Sequence, residues 1–284
     1  MHSLPSHTLA WIIWLSYIGI TPKKQREIIH VYPTASNVLE SKCAKLNLGY
    51  RQIQLLKNPQ WNIVEQSLQW ATKKHNQIIT SDCALYPRQL LDDEQFPNFL
   101  FVKGDVSLLK KPQIAIVGSR NASNYGLRST EKICAYLLAR DYIITSGMAL
   151  GIDAMAHQSA LSSYKPTIAV LGLDIENIYP KQNLLLYQQI QKSGLIISSV
   201  PIGTPYRQEI FPERNRIISA LSKYIVVIEA SEKSGALHTV SHALKQNRIV
   251  YALPGRIDQP QAQGCNRLIQ LGAQIITRVE DLME

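Results

Sequence analysis

Four times along the chain an Ile/Val-rich run breaks into a Gly/Ser turn that carries a polar or charged residue. The four are Ile114–Arg120 (IAIVGSR), Ile143–Asp153 (IITSGMALGID), Ile168–Tyr179 (IAVLGLDIENIY) and Ile225–Gly235 (IVVIEASEKSG). Continuous apolar runs of this length suit strands covered on both faces, as in a parallel sheet flanked by helices. In such a sheet the turns gather at the carboxyl edge of the strands, so residues far apart in sequence converge on one crevice. Glycine permits close approach of a ligand, and the N–H groups opening each following helix favour an anion. A phosphate-bearing ligand is the expectation.

From residue 113 onward, strand and helix alternate. Strands are predicted near 113–117, 142–146, 167–171, 195–198, 224–229, 248–253 and 273–276. Helices are predicted near 124–140, 151–163, 181–192, 213–222, 235–246 and 264–271, and Ile78, Ile79 and Phe99–Val102 read as short strands leading in. The fold class is α/β: an extended Rossmann-like, doubly wound, mostly parallel sheet preceded by a small helical domain. Pro59 and the polar stretch Ala71–Gln77 divide the chain into 1–72 and 73–284. Within the first part, Thr8 is a candidate cap for a helix ending at Gly19. Pro22 suits the first turn of the next helix. The turn Ile18–Lys24 is similar to the hairpin of helix-hairpin-helix modules, whose amides and lysines grip a DNA phosphate; packing without DNA contact explains it equally well.

With 30 basic and 21 acidic side chains, the 284-residue chain has a net charge of +9. That excess favours polyanionic partners, although solubility alone also accounts for it. Cys43, Cys83, Cys134 and Cys265 are scattered without zinc spacing, which fits a reduced, cytoplasmic protein without a metal. Leu9–Ile20 is too short to span a membrane and has no preceding Lys or Arg for an export signal. The sequence contains neither GxxxxGK[ST] nor GxGxxG after a strand, which disfavours phosphate-hydrolysing and dinucleotide enzymes.

Arg214, Asn215 and Arg216 follow a helix-starting proline in FPERNRIISALS. Their place in the first turn predicts a phosphate seat, against pairing with Glu209, Glu213 or a helix end. Asp153 and His157, four apart at a helix start, suit either an acid/base or metal pair or a carboxylate that caps the helix and orients the histidine; the second is simpler. No serine or cysteine has a convincing base, so nucleophilic catalysis lacks support.

Taken in order, VGSRNASNYG (117–126), SGMALGIDAMAH (146–157), AVLG (169–172), YPKQN (179–183), FPERNRIISALS (211–222), KSGALHT (233–239) and PGRIDQPQAQGCNRLIQLGA (254–273) resemble the DprA (Smf) family of DNA-processing proteins. The resemblance implies an extended Rossmann fold, a homodimer, binding of single-stranded DNA and its delivery to the RecA recombinase in natural transformation. It implies no enzymatic turnover and no cofactor. Residues 1–72 match only loosely the family's sterile-alpha-motif-like or helix-hairpin-helix domain.

On this reading Arg120, Lys181, Arg214 and Arg216 supply charge, Gly118, Ser119, Asn215, Ser234 and Gly235 bring amides and polar side chains to phosphates, and Tyr125 and Tyr179 stack bases. The chain departs from the family at Asp174, which is expected to add negative charge near the crevice, and at Ser199, where an acid is usual. It also ends at Glu284 without the winged-helix domain many members append. The alternative is a nucleotide-binding or phosphoribohydrolase-type enzyme on a lysine-decarboxylase-like fold. Against it, Ser234–His242 (SGALHTVSH) lacks the PGGxGTxxE pattern of those enzymes.

Overall fold

The computed structural model describes residues 6–33, 46–207 and 210–282. Cys43 and Glu209 lie outside these residues. Strands β1 (Asn76–Thr80), β2 (Phe99–Gly104), β3 (Gln113–Gly118), β4 (Ile143–Ser146), β5 (Thr167–Val170), β6 (Leu195–Ser198), β7 (Tyr224–Ile228), β8 (Ile249–Ala252) and β9 (Gln274–Ile275) form one nine-stranded sheet in the order β1-β2-β6-β5-β4-β3-β7-β8-β9. From β6 to β9 all neighbours pair in parallel, and β2 joins β6 antiparallel. The chain starts the parallel part at β3, builds outward to β6, then returns to place β7 on the other side of β3. That reversal makes the carboxyl ends of β3 and β7 the switch point, where this topology opens a crevice.

Alternation along the strands sets the two faces. Ile114 and Ile116 of β3 face helices α5 (Asn124–Leu138) and α6 (Ile152–Ser162), while Ala115 and Val117 face α8 (Ile210–Leu221) and α9 (Ala236–Lys245). Each central strand is therefore buried on both sides, which is why its sequence is an unbroken apolar run. Helix α7 (Leu184–Ser193) covers β5 and β6, and α10 (Pro260–Gln270) covers β8. Burial of this kind contributes about 25 cal/mol per Å² of apolar surface.

Before the sheet stand α1 (Ser6–Tyr17), α2 (Pro22–Val31), α3 (Tyr50–Lys57) and α4 (Trp61–Trp70). Trp11, Ile13, Trp14 and Leu15 of α1 are all buried, so this helix is apolar on several sides. Its core is continuous with Phe99 and Phe101 of β2, and Trp70 meets Phe101 edge to face at 5.4 Å. Thr8 lies inside α1, which begins at Ser6, and is not its cap. Pro22 takes the first position of α2 as expected. The hairpin lysines face the protein's own acids: Lys23 Nζ is 2.8 Å from Glu94 and Lys24 Nζ is 2.9 Å from Glu27. Among the described residues no helix is long and apolar enough to cross a membrane.

Candidate nucleic-acid interface

At the switch point lies an open crevice of about 450 Å³, lined by the turns after β3, β4 and β7, by α8 and by the start of α9. Its floor is fixed by close backbone packing. A Cβ on Gly118 would lie 1.8 Å from the Ile228 carbonyl oxygen, and one on Gly151 would lie 2.2 Å from that of Ser119. Gly151 also has a φ of 73°, and Ile152 N–H donates to Ser119 O at 3.1 Å. These glycines lock two turns together; close approach between strands, not approach to a ligand, is what requires them.

Buried charges then hold the turn after β4 from both sides. Asp153 accepts from the amides of Gly147 (3.1 Å) and Ala149 (3.4 Å), while Arg214 of α8 donates to the carbonyls of Gly147 and Val170, the latter at 2.6 Å. Burial pulls the Arg214 guanidinium down to about 10, with Asp153 opposing, so it stays charged at neutral pH. Burial pushes the Asp153 carboxyl up, against the pull of Arg214 and the two amides. His157 is fully buried, its Nδ1 2.8 Å from Thr167 Oγ1, and burial lowers it to about 3. Asp153 thus orders a turn and does not orient His157, whose partner is Thr167. Directly after β7, outside the crevice lining, Glu229, at a φ of 53°, accepts from Ser123 N–H at 2.8 Å and from its hydroxyl, fixing the N-cap of α5.

The expectation that Arg214 and Arg216 project together from a first helical turn does not hold. Helix α8 already runs from Ile210, which puts both a turn further in and on different sides. Arg214 is spent on backbone carbonyls beneath the crevice, and Arg216 points the other way to pair with Asp93 at 2.8 Å. Asn215 bridges Arg214 Nε (3.0 Å) and the Gly235 carbonyl (3.3 Å). Asp174 is likewise turned inward: it is buried and accepts from the amides of Glu176 and Gly203 and from Asn177, so its charge is absorbed by its own loop.

What remains outside is a short set. Arg120 is exposed at the crevice and, among the described residues, has no acidic partner. Ser119, Ser234 and Gly235 line the crevice beside it; Ser119 N–H donates to Ile228 O at 3.4 Å, while the Ser119 and Ser234 hydroxyl oxygens accept from Asn121 and Ala236 and keep their own protons to donate. Lys181 is exposed just beyond Tyr179 but does not line the crevice. Tyr125 stands outside it as well, its hydroxyl donating to Pro254 O at 3.0 Å. Tyr179 is 52% exposed on the rim and packs on Phe211 with ring centres 5.8 Å apart. Tyr206, 66% exposed, packs on the same ring at 6.1 Å. Sequence reasoning missed Tyr206, Phe211, Asn121 and His238. Phe211 and His238 lie inside strings already singled out, FPERNR and KSGALHT, and Asn121 follows Arg120 in the first turn.

A family model, DNA recombination-mediator protein A, matches residues 77–284. The chain belongs to that family, also called DprA or Smf. Protein Smf of Escherichia coli is 36% identical over 98% of this chain and 74% of its own length. The DNA processing protein DprA of Streptococcus pneumoniae is 40% identical over 72% of each chain. The X-ray structure of the pneumococcal DprA superposes with a TM-score of 0.83 at 30% identity, covering 97% of both chains. DprA from Helicobacter pylori, solved for its single-stranded DNA binding mode, gives 0.66 at 30% identity over 74% of this chain and 95% of that one. The DprA fold therefore extends over the N-terminal helices as well as the sheet.

Proposed function

We propose that this DprA-family chain binds single-stranded DNA in the switch-point crevice, protects it, and passes it to the RecA recombinase in natural transformation, acting by binding and not by turnover. The observation that carries the reading is Arg120, a cation exposed at the carboxyl edge of β3 opposite an aromatic rim, while the other crevice charges are buried in the frame. Arg120 and Lys181 neutralise phosphates, the Ser119 and Ser234 hydroxyls donate to them, and Tyr179 with Tyr206 stacks bases without reading them. The DNA-binding relative from Helicobacter pylori supports the ligand, and the family resemblance supports the RecA step.

A homodimer in the cytoplasm completes the proposal. At the end of the sheet Leu271 is 68% exposed and Ile275 45% exposed, while Ile276 beside them is buried. Two crevices on one strand make the second contact intramolecular, so modest sites add up to tight binding. A salt-dependent gel shift with oligothymidylate and a duplex control tests the reading. Preferential, salt-sensitive binding of the single strand, with a dimer in light scattering, is expected; equal affinity for duplex, or no shift, contradicts it.

A further inference from the structure

At the opposite end of β3 from the crevice lies a second groove, of about 600 Å³, and its lining contains no acidic side chain. Arg88, Lys110, Lys111 and Lys223 stand exposed around it, and Arg248 closes one side. Arg248 reaches Asp92, outside the lining, only at 3.9 Å; Arg88, Lys110, Lys111 and Lys223 have no acidic partner among the described residues. Beneath them two donors are buried without an acceptor: Nε2 of Gln113, a residue 1% exposed, and Nε of Arg248. Gln113 is held in place from its other side, since its Oε1 accepts from Thr145 at 2.8 Å. A buried donor left unsatisfied is costly, and an acceptor brought to it removes that cost.

We infer that this amino-edge groove is a second seat for the phosphate backbone of a single strand, separate from the switch-point crevice. The inference extends the single-strand reading above and rests on it for the ligand. Four cations without a carboxylate partner, one of them, Lys223, resting over the Tyr224 ring at 4.9 Å, stand around two orphan donors and suit a chain of repeating monoanions, because each phosphate brings both a charge and acceptor oxygens. The two seats lie at the two ends of β3, and α8 connects them, its Arg214 at the crevice and its Ala220 and Leu221 at the groove. Along the strand that separation is about 17 Å, from a rise of about 3.3 Å per residue. A short oligonucleotide fills the crevice alone; a long one reaches both.

The test compares the 284-residue chain with the triple variant Lys110→Ala/Lys111→Ala/Lys223→Ala, with the charge-reversed triple K110E/K111E/K223E, and with Arg120→Ala. Affinities are read by fluorescence anisotropy on a short and a long oligothymidylate across a salt series. For the alanine triple we expect roughly tenfold weaker binding of the long strand at low salt and a salt slope smaller by about 2. The short strand should bind it as before, and the charge-reversed triple should lose more. Unchanged affinity and slope on the long strand in both triples, with Arg120→Ala weakened, overturns the groove and leaves the crevice reading standing. Loss on the long strand in the triples with no effect of Arg120→Ala supports the groove and contradicts the crevice. Equal loss on short and long strands means that the lysines act only through a general field, and overturns a separate seat. Triples that change affinity for an acidic peptide but not for DNA also overturn it.

Discussion

The two ends of the sheet handle charge in opposite ways. At the carboxyl edge Asp153, Arg214 and Glu229 are buried and bonded to the backbone or to Ser123, and Arg120 is left exposed. At the amino edge cations gather with no acid in the lining, over donors with no acceptor. The recognisable motifs lie at the first end, yet two of their charges, Asp153 and Arg214, build the site's shape. A basic residue in a motif is thus read by its partners: with two carbonyls to hold it is a strut, and with none it is free for a ligand.

The largest test of that distinction is Arg214→Met. Removing the strut leaves the Gly147 and Val170 carbonyls and the Asp153 carboxylate without their cation, and stability should fall by about 3 to 5 kcal/mol in urea denaturation. A variant as stable as the parent but weaker for DNA would turn Arg214 back into a contact residue. Next comes His157, which burial lowers from 6.5 to about 3. The unfolded chain takes up this proton below pH 6.5 while the folded chain does not. The contribution to stability is therefore present above pH 6.5 and is lost as pH falls toward 3, at up to about 1.4 kcal/mol per unit. His157→Gln should flatten that slope; an unchanged stability profile from pH 7 to 4 would show that His157 is protonated in place. Smaller again is Tyr179→Ala, which should weaken a single strand by about 1 to 3 kcal/mol, as loss of one stacked base does. Its measurement is anisotropy at fixed salt, and full affinity would make the rim a packing feature.

Much of the fold was legible because burial on both faces writes itself as unbroken Ile/Val runs, as in IAIV at 114–117 and IVVI at 225–228. Glycines marked the turns correctly, but their reason was hidden: Gly118 and Gly151 are required by carbonyls from other parts of the chain. The candidate site was readable as a location and not as a division of labour. Arg120 and Arg214 both sit in motif strings beside strand ends, and only tertiary contacts reveal that one is free and the other enclosed. Tyr206 carried no periodic signal because it lies in a turn-rich segment between β6 and α8. The amino-edge groove was invisible for the same reason: Lys110, Lys111 and Lys223 are ordinary surface lysines until the sheet brings them together.

The proposal that unpartnered cations outside the frame carry DNA binding is tested most directly by the double variant Arg120→Ala/Lys181→Ala, measured as log K against log salt on oligothymidylate beside a thermal melt. With two phosphate contacts removed, the slope should shrink by about 1.4 while the melting temperature stays at the parent value. A parental slope and affinity in a folded double variant would contradict the claim.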